Sequence, residues 1–455
     1  MSLRRAFIVA AGLALSPLCQ PGKAVAEIVT LSADQMIVAA RQALAQNQPV
    51  LAQALMDAYL AAHPDTVEAL VLTSRAARDL GQNRSARSSA KQAWRAAQTP
   101  SEKFAAAMVA AQAQSSSGNK TAGQFWLRRA SNHAQTNAQR NQLHKDFRYV
   151  RERNPWRMDL SFGITPSSNV NDGSSEDTIT LFGLPFALSP SAKALSGTQG
   201  HVSAKLAYRF AERETWRNFI GAQLFHRETW LDRNAQDAAP MVSNADFRYS
   251  SAALTFEHQH LIPKWNARLD LHARQGRIWY GGAALANFTG LGAQLHLARP
   301  EGRQISLYAR YDLQDHIHTA LPDVHVGDIG LQYGFQKWGR KWQISTALQQ
   351  SFSDDLTREY REVRAEVEVD LGQIVNGVDL TMGLGASHRA YDVSRYALDG
   401  RHDNTVEARA AVTLTEMGYM GFAPEISLQH RDTSSNISLY TKSETALGLT
   451  LSSQF

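Results

Sequence analysis

From Ser438 to Phe455 the chain alternates apolar and polar side chains up to its last residue. Leu447, Leu449 and Leu451 fall on one face, and Ala446, Gly448, Thr450 and Ser452 fall on the other. A strand with one greasy and one wet face spans an outer membrane in about 9–11 residues, but only inside a closed barrel. A soluble sheet with the same alternation needs an apolar layer to cover it, and the remaining sequence supplies too little apolar surface for that.

The same period of two runs back to Trp156. Met158, Leu160, Phe162 and Ile164 alternate with Asp159, Ser161, Gly163 and Thr165. Val202, Ala204, Leu206, Tyr208 and Phe210 do so with His201, Ser203, Lys205, Ala207 and Arg209. The clearest series sets Val363, Ala365, Val367, Val369 and Leu371 against Glu362, Arg364, Glu366, Glu368 and Asp370, which predicts a charged lumen wall. Fourteen strands can be counted, an even number as bacterial barrels require. Short connections at 211–214, 261–264, 300–303, 338–340, 373–377 and 417–421 alternate with mostly longer ones at 166–198, 231–242, 276–286, 316–323 and 392–403. That asymmetry predicts both barrel ends, and Phe455, at the periplasmic rim. The parity of Phe247 and Tyr249 clashes with that of Leu254 and Phe256, which predicts a bulge between them.

The front of the chain reads differently. Arg4 and Arg5 precede an apolar run from Ala6 to Leu18, and Ala24-Val25-Ala26 offers a cleavage site, so residues 1–26 are expected to be a secretory signal. The single cysteine, Cys19, lies inside it, preceded by Pro17 and Leu18 rather than by the small residue that lipidation requires. The mature chain is then expected to lack disulfides and thiol chemistry. Residues 27–154 hold 16 Lys/Arg against 9 Asp/Glu, and residues 155–455 hold 28 against 33. A basic front on an exported chain points to an acidic client or an anionic surface rather than to nucleic acid.

Residues 27–153 are rich in Ala, Gln and Arg and show helical pairs recurring at about 34–37 residues. Asn47, Gly81 and Gly118 mark the turns within pairs, and Pro64 and Pro100 fall between pairs. The segment from Leu55 to Pro64 looks like the second half of a tetratricopeptide repeat, which predicts a helical solenoid; an Ala-rich bundle is the alternative. Tyr59, Trp94, Phe125 and Trp126 fit helix-packing positions. Arg75, Arg78, Arg84, Arg87, Arg128 and Arg129 form the denser basic surface, a candidate docking patch for a client.

At its two barrel ends the chain resembles the surface lipoprotein assembly modulators, or Slam proteins, the outer-membrane components of type XI secretion. The residues that carry the likeness are Asn154-Pro155-Trp156-Arg157, the run from Thr165 to Asn171, the run from Asn436 to Tyr440, and Leu447-Gly448-Leu449-Thr450-Leu451. The chain departs from that family in its short, degenerate repeats and in Ser453, where an aromatic often stands. The resemblance implies periplasmic tetratricopeptide repeats (27–153) followed by a 14-stranded transmembrane barrel (154–455). It further implies export of a client protein to the cell surface or medium.

Such a protein needs barrel-assembly machinery for insertion, outer-membrane lipid around it, and no catalytic residue, cofactor or metal. The histidine pairs His258/His260 and His316/His318 lack the carboxylate spacing of a zinc site. Asp312, Asp315 and His316 form a rim acid–base site only if residues are chosen freely. The segment 166–198, with its apolar run from Ile179 to Phe186, is expected either to gate the pore or to lie exposed at the cell surface. Two other functions fit the same pattern: a polysaccharide-export porin with helical repeats, and a passive diffusion channel.

Overall fold

A computed structural model describes residues 31–181, 184–318, 321–419 and 421–453. The expected signal at 1–26 and the terminal Phe455 lie outside the described residues, and the apolar run 179–186 is described except at 182–183.

Seven helices come first: α1 (Ala33–Ala45), α2 (Pro49–Ala62), α3 (Val67–Asp79), α4 (Asn83–Ala96), α5 (Pro100–Ser116), α6 (Lys120–Ser131) and α7 (Asn137–Arg153). They pair as α1/α2, α3/α4 and α5/α6, and α7 runs on toward the barrel. Asn47, Gly81 and Gly118 sit at the turns inside the pairs, with φ of 57°, 73° and 89°. These are left-handed positions that end one helix and reverse the chain. Ser32, Thr99 and Thr136 open α1, α5 and α7 with reciprocal capping boxes to Gln35, Glu102 and Gln139. Each helix packs on its sequence neighbour, and α1·α3 and α3·α5 also touch, so the pairs stack in line. Alanines fill the crossings: Ala40, Ala52, Ala69, Ala76, Ala86, Ala90, Ala93 and Ala107 are fully buried. Small side chains let these helix axes approach closely.

Sixteen strands follow: β1 (Trp156–Ser167), β2 (Thr178–Leu181), β3 (Leu184–Ala187), β4 (Gly197–Glu212), β5 (Trp216–Leu231), β6 (Tyr249–Ile262), β7 (Ala267–Tyr280) and β8 (Ala283–Ala298), then β9 (Gln304–His316), β10 (Val324–Lys337), β11 (Arg340–Ser353), β12 (Arg361–Val375), β13 (Val378–Tyr391), β14 (Arg401–Leu414), β15 (Phe422–Ser435) and β16 (Lys442–Ser453). All but β2 and β3, which form a small hairpin of their own, join one closed antiparallel barrel of fourteen strands. The seam pairs β1 with β16, with Ile164 opposite Leu449 and Ser167 opposite Ala446.

One parity of every strand faces outward. Leu224, Leu254, Ile329, Leu348, Val363, Leu384, Val406, Leu428 and Leu447 are all more than half exposed, although each is large and apolar. Burying such a side chain is worth about 1.5–3 kcal/mol, so a continuous belt of them around a closed wall is stable only against lipid. The molecule is an outer-membrane barrel.

Two expectations fail. The connection expected to be long at 276–286 is a two-residue turn, Gly281-Gly282, with φ of 58° and 83°. Two successive left-handed residues close a hairpin at once, and glycine adopts them without strain. The bulge expected near residues 249–254 is absent, because β6 pairs without a register shift to both β5 and β7. Tyr249 instead faces the lumen, its ring edge-on to Phe225 at 5.8 Å, and Phe247 packs in the preceding loop.

Barrel closure predicts that cysteines at positions 164 and 449 form a disulfide on oxidation, because paired residues in such a ladder bring their Cα atoms to about 4.5–5.5 Å. Cysteines at 164 and 447, two residues out of register, should not cross-link. Equal yields from the two pairs would refute the register of the seam.

Candidate functional site

The lumen wall follows from the same parity. On β12, Glu362, Arg364, Glu366, Glu368 and Asp370 lie on the strand parity opposite that of the lipid-facing Val363 and Val367. Three of the five are ion-paired to other strands. Glu362 is 5% exposed and accepts two hydrogen bonds from Arg389 of β13, at 2.9 and 2.7 Å. Arg364 reaches Asp328 of β10 at 3.2 Å, and Lys341 of β11 holds Asp370 at 3.1 Å. Glu366 and Glu368 make no ion pair among the described residues. Beside Glu366, the side-chain-free Gly383 and Gly385 of β13 leave a notch of about 160 Å³. Glu366, Glu407, Arg364 and Arg409 wall it.

The pairing continues around the wall, with Arg409 on Glu425 at 3.2 Å, Arg431 on Glu407 at 2.9 Å and Arg274 on Asp312 at 2.7 Å. Cross-strand pairing neutralises charge locally and keeps this part of the wall polar. Wall of this kind stays hydrated.

The helical array is fixed to one mouth of this barrel. Asn154 is 4% exposed, and its amide donates to Thr121 Oγ1 at 3.2 Å and Gln124 Oε1 at 2.7 Å of α6. Its carbonyl oxygen accepts from the Trp156 backbone N–H at 3.2 Å. The first barrel residue is therefore locked to α6. Arg209 of β4 donates to the Glu152 carbonyl oxygen of α7 at 3.0 Å, a second tie. Just inside the same mouth, Arg157 lies 3.8 Å over the fully buried Phe219 and 3.9 Å from Glu257. In the sequence Arg157 stands out only as part of the Asn154–Arg157 run, and Phe219 does not stand out; Phe219 was detectable only as an aromatic on the polar parity of its strand.

The six arginines expected to form a docking patch divide into two groups. Arg75 on α3 and Arg84 and Arg87 on α4 are exposed. Arg78 is engaged within the array, by Asp79 at 2.9 Å and Gln112 at 2.6 Å. Arg129 sits among the rings of Trp94, Phe125 and Trp126 at 5.2, 5.0 and 5.1 Å. Arg128 lies between Phe147 of α7 and Phe422 of β15, lining a cleft of about 540 Å³ at the junction. Burial, then the charge of nearby Arg151, lowers its pKa. Both act in packing. Tyr59, Trp94 and Trp126 pack as expected, but Phe125 is 45% exposed, beside Arg129 and the edge of Trp126.

At the opposite mouth, the described part of segment 166–198 is tied to both neighbouring connections. The Ser174 hydroxyl donates to the Ser438 carbonyl oxygen at 2.7 Å, and the Ser175 N–H donates to that of Thr441 at 2.9 Å. Val170 and Leu195 pack with Leu231, Ala235 and Ala239. Lys193, bonded at 2.6 Å, holds the Asp177 carboxyl below its ordinary range. The tip of the β2–β3 hairpin exposes Leu184 and Phe186.

The candidate histidine pairs separate. His258 and His260 stack at 6.0 Å on the outer wall, while His316 faces the lumen near Asp323. Among the described residues no three His, Cys, Asp or Glu side chains converge on a metal position.

Comparison with known proteins gives a family for the second part of the barrel. Residues 275–455 match the family described as surface lipoprotein assembly modifier. No curated protein matches the chain. Among solved structures, it is similar to the Acinetobacter baumannii protein OccAB4 at 8% identity and a TM-score of 0.34, over 65% of this chain and 98% of that one. It is similar to a loop-deletion form of OmpT, an outer membrane protein of Vibrio cholerae, at 6% and 0.33, over 66% and 99%. A third likeness is to a bacterial polysaccharide outer membrane secretin, at 10% and 0.33, over 65% and 98%.

Removing Arg389 would leave Glu362 buried and uncompensated, at a cost of about 3–5 kcal/mol. Arg389→Ala should therefore lower the unfolding midpoint, followed by the heat-dependent gel mobility of the barrel. The double variant Glu362→Gln/Arg389→Gln should recover most of the loss. An unchanged midpoint in Arg389→Ala would show that the pair does not hold the wall.

Proposed function

We propose that this chain, matched from residue 275 onward to the surface lipoprotein assembly modifier family, exports a client protein across the outer membrane of a Gram-negative bacterium. Its helical array stands in the periplasm, and the client is a surface lipoprotein or a secreted soluble protein. The observation that carries this reading is a basic stack of helix pairs fixed by Asn154 to one mouth of a closed, charge-lined barrel.

Several features support it. The pairs repeat at a tetratricopeptide-like period and expose Arg75, Arg84 and Arg87, a surface suited to an acidic client. Fourteen strands enclose a lumen wide enough for hydrated polypeptide. The connections at the far mouth, 168–196, 232–248 and 392–400 among them, are the longer ones except for the Gly281-Gly282 turn, as expected of the cell-surface side of such barrels. The division into a signal at 1–26, a repeat domain at 27–153 and a barrel at 154–455 belongs to the same reading, as does insertion by barrel-assembly machinery. Transit requires no bond to be made or broken, so no catalytic residue or cofactor is assigned.

The test is surface display of a lipoprotein encoded beside this gene, measured by antibody labelling of intact cells with and without the exporter. Display should depend on the full chain and fall several-fold with Arg75→Glu/Arg84→Glu/Arg87→Glu while the barrel stays folded. Equal display in cells lacking the protein would refute the export reading. Normal display with the triple variant would refute only the docking patch.

A further inference from the structure

The outer wall stops in a repeated way at the mouth away from the helices. On β5 the outward series Ile220, Ala222, Leu224 is followed by His226; on β13 Met382, Leu384, Ala386 is followed by His388. On β15 Ile426 and Leu428 give way to His430, and on β10 Leu331 and Ile329 lead through Gly327 to His325. Each histidine is the first polar outward residue beyond the apolar belt. All four face away from the lumen, so client transit does not account for them.

Their local geometry also repeats. In each ring Nδ1 meets a polar side chain of a neighbouring strand: Ser250 Oγ at 2.9 Å, Tyr311 Oη at 3.4 Å, Asn404 Oδ1 at 2.8 Å and Thr445 Oγ1 at 2.8 Å. At His226, His325 and His430 the partner is a hydroxyl, and a hydroxyl that donates to Nδ1 leaves the ring proton on Nε2, as a donor on the far side of the ring; at His388 the Asn404 amide oxygen instead accepts from Nδ1–H. For His430 that donor reaches Asp432 at 2.8 Å. His226 has Glu228 at 3.9 Å, and that carboxylate already holds Arg248 at 2.6 Å. Arg277 of β7 and Arg361 of β12 emerge on the same outer edge, Arg277 bonded to Asn287 at 2.9 Å and Arg361 to Asp392 at 2.9 Å.

We propose that this histidine ring is a docking surface for the phosphorylated headgroups of the outer-leaflet glycolipid. The ring is continuous with the lipid-facing wall, so a lipid whose chains lie on Leu224, Ile329, Leu384 and Leu428 has its headgroup at the level of the histidines. Phosphate oxygens accept from cationic and neutral N–H donors; the cross-strand bonds at Nδ1 hold the rings in place, so that His226 and His325 present Nε2–H to a headgroup, while His430 shares its donor with Asp432 and His388 adds a ring fixed by Asn404. The assignment rests on the orientation given under Proposed function, since it puts the ring in the outer leaflet.

The experiment uses the full chain purified in mild detergent, with bound bisphosphorylated lipid A counted by native mass spectrometry. Wild type should retain it, and His226→Ala/His325→Ala/His388→Ala/His430→Ala should bind roughly tenfold more weakly, the loss expected for one or two charge-assisted hydrogen bonds. Replacing the same four residues by arginine should preserve binding. Heat-dependent gel mobility reports folding; if the quadruple variant fails to fold, the pairs His226/His325 and His388/His430, replaced separately, decide the question. Equal retention by folded alanine variants would overturn the proposal. So would equal binding of dephosphorylated lipid A, or displacement by millimolar inorganic phosphate. Retention of phosphatidylglycerol instead would place the ring in the inner leaflet and overturn it as well, whereas a failure of client display alone would leave it standing.

Discussion

Lipid offers no hydrogen bonds, and the rest of the structure depends on that. Every N–H and C=O at membrane depth needs a partner within the protein, so an amphipathic strand can cross only as part of a ladder with no edge. Pairing β1 with β16 removes the edge. A sheet left open at that seam would present two rows of unsatisfied backbone groups to hydrocarbon, each at a cost of several kcal/mol. Closure is therefore required for the barrel to be in a membrane at all.

Closure also decides where the helices go. The strand that must meet β16 is the one that follows α7 without a linker, so the helical array is delivered to the seam's rim. Pro155 keeps the chain extended there, and Asn154 satisfies one backbone donor of β1 while its amide engages α6. A flexible tether would have let the array wander. A buried asparagine with three bonds holds it to the rim.

Much of this could be read in the residues. The strand count, the inward face of β12 and the turns at Asn47, Gly81 and Gly118 each follow from a local rule acting over a few positions, whereas Asn154-Pro155-Trp156 drew notice only through the family resemblance. What could not be read depends on neighbours distant in sequence. Arg128 and Arg129 looked like free basic surface until Phe422, Phe147 and Trp94 arrived beside them. Phe219, an aromatic on the polar parity of β5, makes sense only with Arg157 of β1 over its ring. The histidine ring was invisible for the same reason: its members are scattered over more than two hundred residues and become a feature only when the strands are wound side by side.

The absent bulge in β6 shows how strict the winding is. Inserting one residue flips every later side chain to the opposite face. At mid-strand that exchange would turn Leu254 and Phe256 into the lumen and Thr255 and Glu257 toward lipid. The register shifts that do occur lie near strand ends: Arg209/Ala211 in β4, Ile278/Trp279 where β7 meets β8, and Asp370/Gly372 and Gln373/Val375 in β12. There the flipped residues fall in the interfacial zones, where either face tolerates a polar group. Tyr249 and Phe247 were therefore poor grounds for a bulge. An aromatic on the wet parity at a strand end is better read as packing inside the mouth, and Tyr249 against Phe225 is that contact.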